Sequence, residues 1–504
     1  MEVKLIGAID YKKVEKLLEE KISNKEERER LLQELKQIEI SRRSEIVSSA
    51  GRLSRASGTV LDVLGLSENK TLEQNAKFAQ MVIGMGHSSI CDHDYCVFAI
   101  KDVSPIVEQT IIEERFSSFT IKSRREADFS SVGYYVPDFH GEDGKILPNN
   151  EELQKEYKKH MQMLFDAYSA LKEKNIPQED ARFILPYCYH SNIMMGMDAH
   201  CVKDLIIKLT KTKYANITEL KEFGEKLYAI AQEQMPYIIS EIDKAETKSS
   251  DPAGEYLSKY IPIEKFRTPV TTRLLNCSTK NIDDTILISA IMRRYQFTEE
   301  RAKQVYEEAC EFNPNFKKEL MKKIAFDSDG LELTQVNFQF ETSLSLAILT
   351  HLTRHRTHDL ITPDFVPNLD LEKYKTPPSI MQSKTAESIY NTLYALNLEM
   401  YERFKETYGV REEDLIYFTL SGTIANVLTN MDGKTLKHIL SLRECTKAQW
   451  ETRQMANSMH KEIRQREDAE IFQTILGPSC ITQRICNEGK ESCGKIHLLK
   501  KPKP

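Results

Sequence analysis

The sequence predicts an α+β fold built twice in tandem, with a sheet packed by helices in each half of the chain. Three observations carry this. Apolar residues recur at helical spacing over most of the chain, while two short stretches alternate apolar and polar residues as strands do. Each of those stretches leads into a helix-forming segment. A polar stretch rich in turn formers lies at mid-chain, and patterns found before it recur after it.

Residues 11–46 are rich in Glu, Lys, Arg and Leu with apolar positions at helical spacing, and read as a solvated amphipathic helical hairpin. Alternation over Asp94–Ile100 (D-Y-C-V-F-A-I) predicts the first strand. A helix then starts at Ser104-Pro105, an N-cap residue followed by proline at the first helical position, where its missing N–H costs nothing. Gln335–Phe340 (Q-V-N-F-Q-F) predicts the corresponding later strand. The helix after it runs through Leu344, Ile348 and Leu352, spaced to share one face, and Thr362-Pro363 should stop it. The stretch Asp243–Tyr256 holds Ser-Ser, Asp-Pro and Gly and reads as a linker, between a first repeat over 1–245 and a second over 255–504. Asp198…Lys203-Asp204-Leu205…Leu209…Thr212-Lys213 runs in step, without a gap, with Asp432…Lys437-His438-Ile439…Arg443…Thr446-Lys447. The duplication is therefore old and far diverged.

Composition excludes several classes. The chain has 504 residues, 40% apolar and 29% charged, an ordinary globular mix, and its 17 Pro and 19 Gly argue against long disordered segments. Its 70 basic and 76 acidic residues give a net charge of −6, so no global field draws it to nucleic acid or an anionic membrane. A single Trp offers no stacking platform for bases. The N-terminus is interrupted by charge too early for a signal peptide, and no apolar run nears the ~18 residues of a membrane helix. Ten Cys without a secreted-scaffold spacing point to a reducing, cytoplasmic setting.

The most pointed cluster is Arg354-His355-Arg356, at the exit of an apolar helix. Arg forks suit bidentate anion contacts. The same residues also read as a basic last turn complementing a helix dipole. The surroundings decide between the two, because they resemble the flavin-dependent thymidylate synthases, whose pattern after such a helix is R-H-R-x-x-S-x-x-x-x-S-x-R. The second half keeps R-H-R but has Asp359, Asp364 and Val366 at the later positions. The first half fits the same frame with Arg115, Ser118, Ser123 and Arg125, and has Glu113-Glu114 in place of the leading Arg-His. Gly86–His93 (G-H-S-S-I-C-D-H) is similar to the family's G-H-x-x-x-x-E-H, and Ala181–Pro186 matches its A-R-x-x-L-P. Leu442-Arg443 with Ala448-Gln449-Trp450-Glu451 is similar to its L-R…A-Q-W-E, where the first half has Leu209 for the arginine. The losses are complementary, so one complete kind of pocket survives.

That resemblance implies the chemistry. The family's sites lie between subunits of a tetramer, which two such chains would reproduce as a homodimer. One contributor offers the S-x-R loop and the A-R-x-x-L-P arginine to a nucleotide, here Ser123, Arg124, Arg125 and Arg182, with His351 and Arg354 nearby. The cofactor FAD falls to His87, Ser89, Arg354, His355, Arg356, Asp432 and His438, the last two standing where the family has Asn. Arg443 is the expected catalytic residue: a guanidinium at the N3/O4 edge of uracil stabilises charge without losing a proton. The implied reaction converts dUMP to dTMP, with methylenetetrahydrofolate as carbon donor, reduced FAD as hydride carrier and NADPH as reductant. UMP methylation, hydroxymethylation and a nucleotide-binding pseudoenzyme are the alternatives.

One feature lies outside that scheme. Cys480, Cys486 and Cys493 fall within fourteen residues of the tail, and Cys445 sits two residues past Arg443. They read either as free thiols or as ligands of a tetrahedral zinc or an iron–sulfur cluster. His87, His93, Cys91 and Cys96 form a second metal-like grouping.

Overall fold

Strand pairing repeats itself along the chain. In the computed structural model, which describes residues 1–5, 11–248, 250–261, 271–327, 329–366 and 369–498, each half builds a four-stranded antiparallel sheet. The first sheet contains β1 (Glu2–Leu5), β2 (Tyr95–Val103), β3 (Ser118–Ile121) and β4 (Ser191–Asp198) in the order β1-β2-β4-β3. The second contains β5 (Arg273–Cys277), β6 (Asn337–Ser345), β7 (Asp359–Ile361) and β8 (Ile424–Asp432) in the order β5-β6-β8-β7. In each, the long central pair carries the register, Tyr95 facing Asp198 in one and Asn337 facing Asp432 in the other. The predicted strands are found, each extended toward its helix, and Cys96, Phe98 and Ile100 in β2 and Phe338 and Phe340 in β6 point to the core as the alternation requires.

The helices follow from their caps. Ser104 Oγ accepts from the N–H of Ile106 at 3.1 Å and opens the helix Pro105–Ile112. Its counterpart runs Leu346–Thr353, so Ile348 and Leu352 lie on it while Leu344 belongs to β6. This helix ends well before Thr362-Pro363, because the chain must turn to pair β7 with β8. The N-terminal hairpin is present as helices Tyr11–Lys21 and Lys25–Leu53, the second capped by Asn24 accepting from Glu27 N–H at 3.3 Å. The predicted linker is not wholly irregular: Asp251 caps a short helix over Pro252–Ser258 and pairs with Lys213 at 3.0 Å. Ser249 of that linker lies outside the described residues, as do parts of both predicted repeats.

The chain forms two compact units. Unit 1 holds Met1–Ala181, Leu185–Lys265 and Ala395–Thr419; unit 2 holds Arg182–Ile184, Phe266–Tyr394 and Leu420–Pro504. Each unit therefore contains a short segment from the other half of the sequence. Within unit 1, Phe404 packs 5.1 Å from both Phe139 and Phe418, and Phe418 lies 5.4 Å from Tyr157. Within unit 2, Phe183 stacks on Trp450 at 6.0 Å, and its carbonyl accepts from Gly422 N–H at 2.7 Å and Tyr394 Oη at 2.8 Å. A Cβ at Gly422 would meet the Tyr394 and Tyr390 hydroxyls at 2.2 and 2.7 Å, so only glycine passes there.

One buried carboxylate per unit holds the corner between central strand and helix. Glu219 accepts from Ser104 N–H at 2.8 Å and from its hydroxyl, and Tyr417 Oη donates to it at 3.1 Å. Glu451 accepts from Ser345 N–H at 2.8 Å and from its hydroxyl, with Lys375 at 3.0 Å. Burial raises the Glu219 carboxyl to about 7, against the hydrogen bonds that favour its charged form. Removing such an acceptor strands a buried N–H, and Glu451→Ala is expected to cost unit 2 about 2–4 kcal/mol in urea unfolding, with Glu451→Gln recovering part of it.

Candidate active site

The helix Leu346–Thr353 is buried along its whole length, so the residues that leave it are delivered to a fixed place. Arg354 caps it, and His355 N–H still bonds Leu352 O at 3.1 Å. The imidazole of His355 is then buried while Arg354 and Arg356 on either side are exposed. Arg443 is the last residue of the helix Gly433–Arg443, which Asp432 caps by accepting from Thr435 N–H at 2.7 Å. From there Nε of Arg443 donates to His355 Nε2 at 2.9 Å and Nη2 donates to the His351 carbonyl at 3.1 Å. His438 sets its ring edge-on to His355, centroids 5.7 Å apart. His351 is buried with its Nδ1 3.4 Å from Thr452 Oγ1.

Burial first, and then the charge of Arg443, push the His355 imidazole down to about 3. The ring stays neutral over the physiological range, and Nε2 is an acceptor because it takes the Arg443 proton. The arrangement is a cation oriented by an uncharged acceptor. Its positive charge is left uncompensated by this partner.

The A-Q-W-E residues explain how that geometry is held. Gln449 Oε1 caps the helix Trp450–Arg464 by accepting from Glu451 N–H at 2.7 Å and Thr452 N–H at 3.1 Å. Glu451 fixes Ser345, the residue from which the His355-bearing helix starts. Trp450 stacks on Phe183, the neighbour in sequence of Arg182, which is 2% exposed. Sequence reading singled out Arg182 and Arg443 but missed these three supports; the motif itself was the available signal. Unit 2 thus brings together Arg443, His355, His351 and His438, and also contains Arg354, Arg356, Asp432 and Arg182.

Unit 1 holds the other candidates. Ser123 sits in a turn after β3, its Oγ accepting from Arg125 N–H at 3.3 Å. Arg125 pairs with Glu179 at 2.9 Å and is part-exposed. Arg124 turns inward, 7% exposed, to Glu108 at 3.0 Å and to the Tyr189 hydroxyl. Ser191 Oγ also donates to Glu108, at 2.6 Å. A buried guanidinium beside its counter-charge braces the turn. His87 and Ser89 are exposed at the turn Ser88–His93. Where unit 2 sets His355 against Arg443, unit 1 has an ion pair between Glu114 and Lys208 at 2.7 Å, and Glu113 takes a bond from Gln109 at 2.7 Å.

The metal readings fare differently. Burial raises the Cys91 and Cys96 thiols to about 12, which disfavours the thiolates a metal needs beside His87 and His93. All ten cysteines are free. Among the described residues no group of three His, Cys, Asp or Glu is placed to hold a metal ion, so a single zinc on Cys445, Cys480, Cys486 and Cys493 is not supported. Among the described residues, too, no helix is long and apolar enough to cross a membrane.

The sequence profile of the thymidylate synthase complementing protein matches residues 34–237 and again 276–467. The chain belongs to this family. It carries the family's domain twice, consistent with tandem duplication. Among similar proteins are the flavin-dependent thymidylate synthases of Geobacter sulfurreducens, 27% identical over 157 residues, of Clostridium tetani, 29% over 187, and of Sulfurisphaera tokodaii, 33% over 155. These matches use 30%, 34% and 30% of this chain and span 62%, 74% and 58% of the relatives, less than two thirds of the first.

The neutral His355 has a checkable consequence. Its folded pKa lies below its unfolded one, so its contribution to stability is complete above about 6.5 and is lost as pH falls toward about 3. Imidazole 15N NMR should show the His355 ring unprotonated throughout pH 5–8. In Arg443→Met the pKa should rise, though not to the unperturbed value, since burial remains.

Proposed function

We propose that this protein is a flavin-dependent thymidylate synthase-like methyltransferase that converts dUMP to dTMP, taking the carbon from methylenetetrahydrofolate. The observation that carries this reading is the Arg443–His355 pair, an arginine oriented by a neutral imidazole. Its Nε is held by His355 and its Nη2 by the His351 carbonyl. A guanidinium so fixed suits the N3/O4 edge of uracil, where negative charge grows as C5 becomes nucleophilic. Ser123, Arg125 and Arg182 supply a hydroxyl and two cations of the kind a nucleotide monophosphate requires.

The residues in hand fit FAD. Within unit 2, exposed Arg354 and Arg356 flank the buried His355 and suit its pyrophosphate, and exposed His438 adds a ring donor. The Asp432 carboxylate, which would otherwise repel phosphate, is engaged in capping a helix. When bound and reduced, by NADPH as external reductant, the flavin supplies the hydride that turns the transferred carbon into a methyl group. The chain's own residues orient the ring, hold the phosphate and stabilise charge.

Incubation with dUMP, methylenetetrahydrofolate, FAD and NADPH should yield dTMP by mass spectrometry, with UMP unconverted. Arg443→Ala and Arg125→Ala should each abolish turnover while the fold remains. Activity regained on mixing the two variants would show that a site is shared between chains of a homodimer. A protein that binds the nucleotide and leaves it unchanged under these conditions would refute the reading.

The Glu114–Lys208 pair supports one flavin per chain, because unit 1 lacks the arginine–imidazole pair and has Glu113-Glu114 where the leading Arg-His would stand, keeping only Arg115 of the three. Flavin released by denaturation should approach about one FAD per chain by absorbance. A ratio near two would mean that both repeats are loaded.

A further inference from the structure

The C-terminal tail turns back within unit 2. Ser479 Oγ donates to the Ser441 carbonyl in the Arg443-bearing helix at 3.4 Å, and Glu491 pairs with Lys447 at 3.2 Å. Gly477 and Gly494 hold φ of 135° and 75°, left-handed conformations that let the tail wind tightly. It borders a half-open pocket of about 1370 Å³, and Cys445, Cys480, Cys486 and Cys493 all line it. Residues far apart in sequence, one beside the arginine helix and three in the tail, thus meet around one space.

We propose that these four cysteines ligate a [4Fe–4S] cluster as thiolates. The choice of a cluster over a single ion rests on the size of the space. A tetrahedral zinc with bonds of ~2.3 Å draws its sulfurs to about 4 Å from one another. A cubane instead spreads four thiolates, each on a different iron, around a body much larger than an ion, and this cavity far exceeds the ~30 Å³ of a water-sized guest.

Charge agrees. Four thiolates around such a cluster leave a net negative charge, and the lining includes Lys447, Arg464, Arg484 and Lys495 against Glu444 and Glu488. Loading by a preformed cluster is ligand exchange: four iron–cysteine bonds form, four bonds to the donor's small thiolates break, and the four cysteine protons pass to the thiolates released. No change of oxidation state is needed.

The test uses the full chain, stripped of metal under anaerobic conditions and incubated with a synthetic [4Fe–4S] cluster carrying 2-mercaptoethanol ligands. After desalting, about four irons and four acid-labile sulfides per chain are expected. Iodoacetamide mapping by mass spectrometry should show Cys445, Cys480, Cys486 and Cys493 protected only in the loaded protein. Cys486→Ser should lose most of the iron, whereas Cys310→Ser, in a different helix of unit 2, should load as the unaltered chain does. Iron below about 0.5 equivalent, equal loading of Cys486→Ser, or alkylation of all four cysteines at one rate in both states would overturn the proposal. Tight retention of a single zinc that the cluster does not displace would overturn it as well. Because the readouts are metal content and thiol protection, they stand or fall separately from the nucleotide chemistry.

Discussion

Each unit depends on a carboxylate buried against the first backbone N–H of a helix. Glu219 and Glu451 hold Ser104 and Ser345 at the corner where a central strand ends and the following helix begins. A charge-accepting group with no water around it must be satisfied by donors, and the serine N–H and hydroxyl provide two. The helix direction is thereby set, and with it the place where the chain leaves the helix. In unit 2 that exit carries Arg354-His355-Arg356. The motif glutamate therefore acts on the site through the backbone, as a positioning residue.

The two units then diverge in what the exit presents. Unit 2 sets a neutral imidazole against a guanidinium, so this partner does not cancel the arginine's charge. Unit 1 sets a carboxylate against an ammonium, and the charges cancel. One ion pair in place of a cation–imidazole bond suffices to turn an anion-attracting position into a closed one. Such a change leaves the strand order and the buried glutamate untouched, which is why topology is shared and chemistry is not.

Composition of the units adds a constraint. Unit 1 contains Ala395–Thr419 and unit 2 contains Arg182–Ile184, and both inserted segments are anchored by aromatic packing, Phe404 and Phe418 in one and Phe183 on Trp450 in the other. Buried aromatic surface of this size is worth several kcal/mol. Neither half of the sequence therefore encloses its own core completely.

The sequence by itself determined the repeat, the strand segments, the helix start at Ser104, and the clusters Arg354–Arg356, Ser123–Arg125 and Cys480–Cys493, because alternation, capping chemistry and motif spacing are local properties. That Leu344 belongs to β6 and not to the helix was not legible, since pairing of β6 with β8 as far as Ser345 is a long-range demand. Nor was the role of Arg124, which its neighbours make equivalent to Arg125 on paper; only the position of Glu108 and Tyr189 in the fold sends it inward. The neutral state of His355, the exchange of segments between units and the meeting of Cys445 with the tail likewise belong to tertiary structure alone. Each depends on burial and on which groups, remote in sequence, are brought within a few ångströms, and no local pattern encodes that.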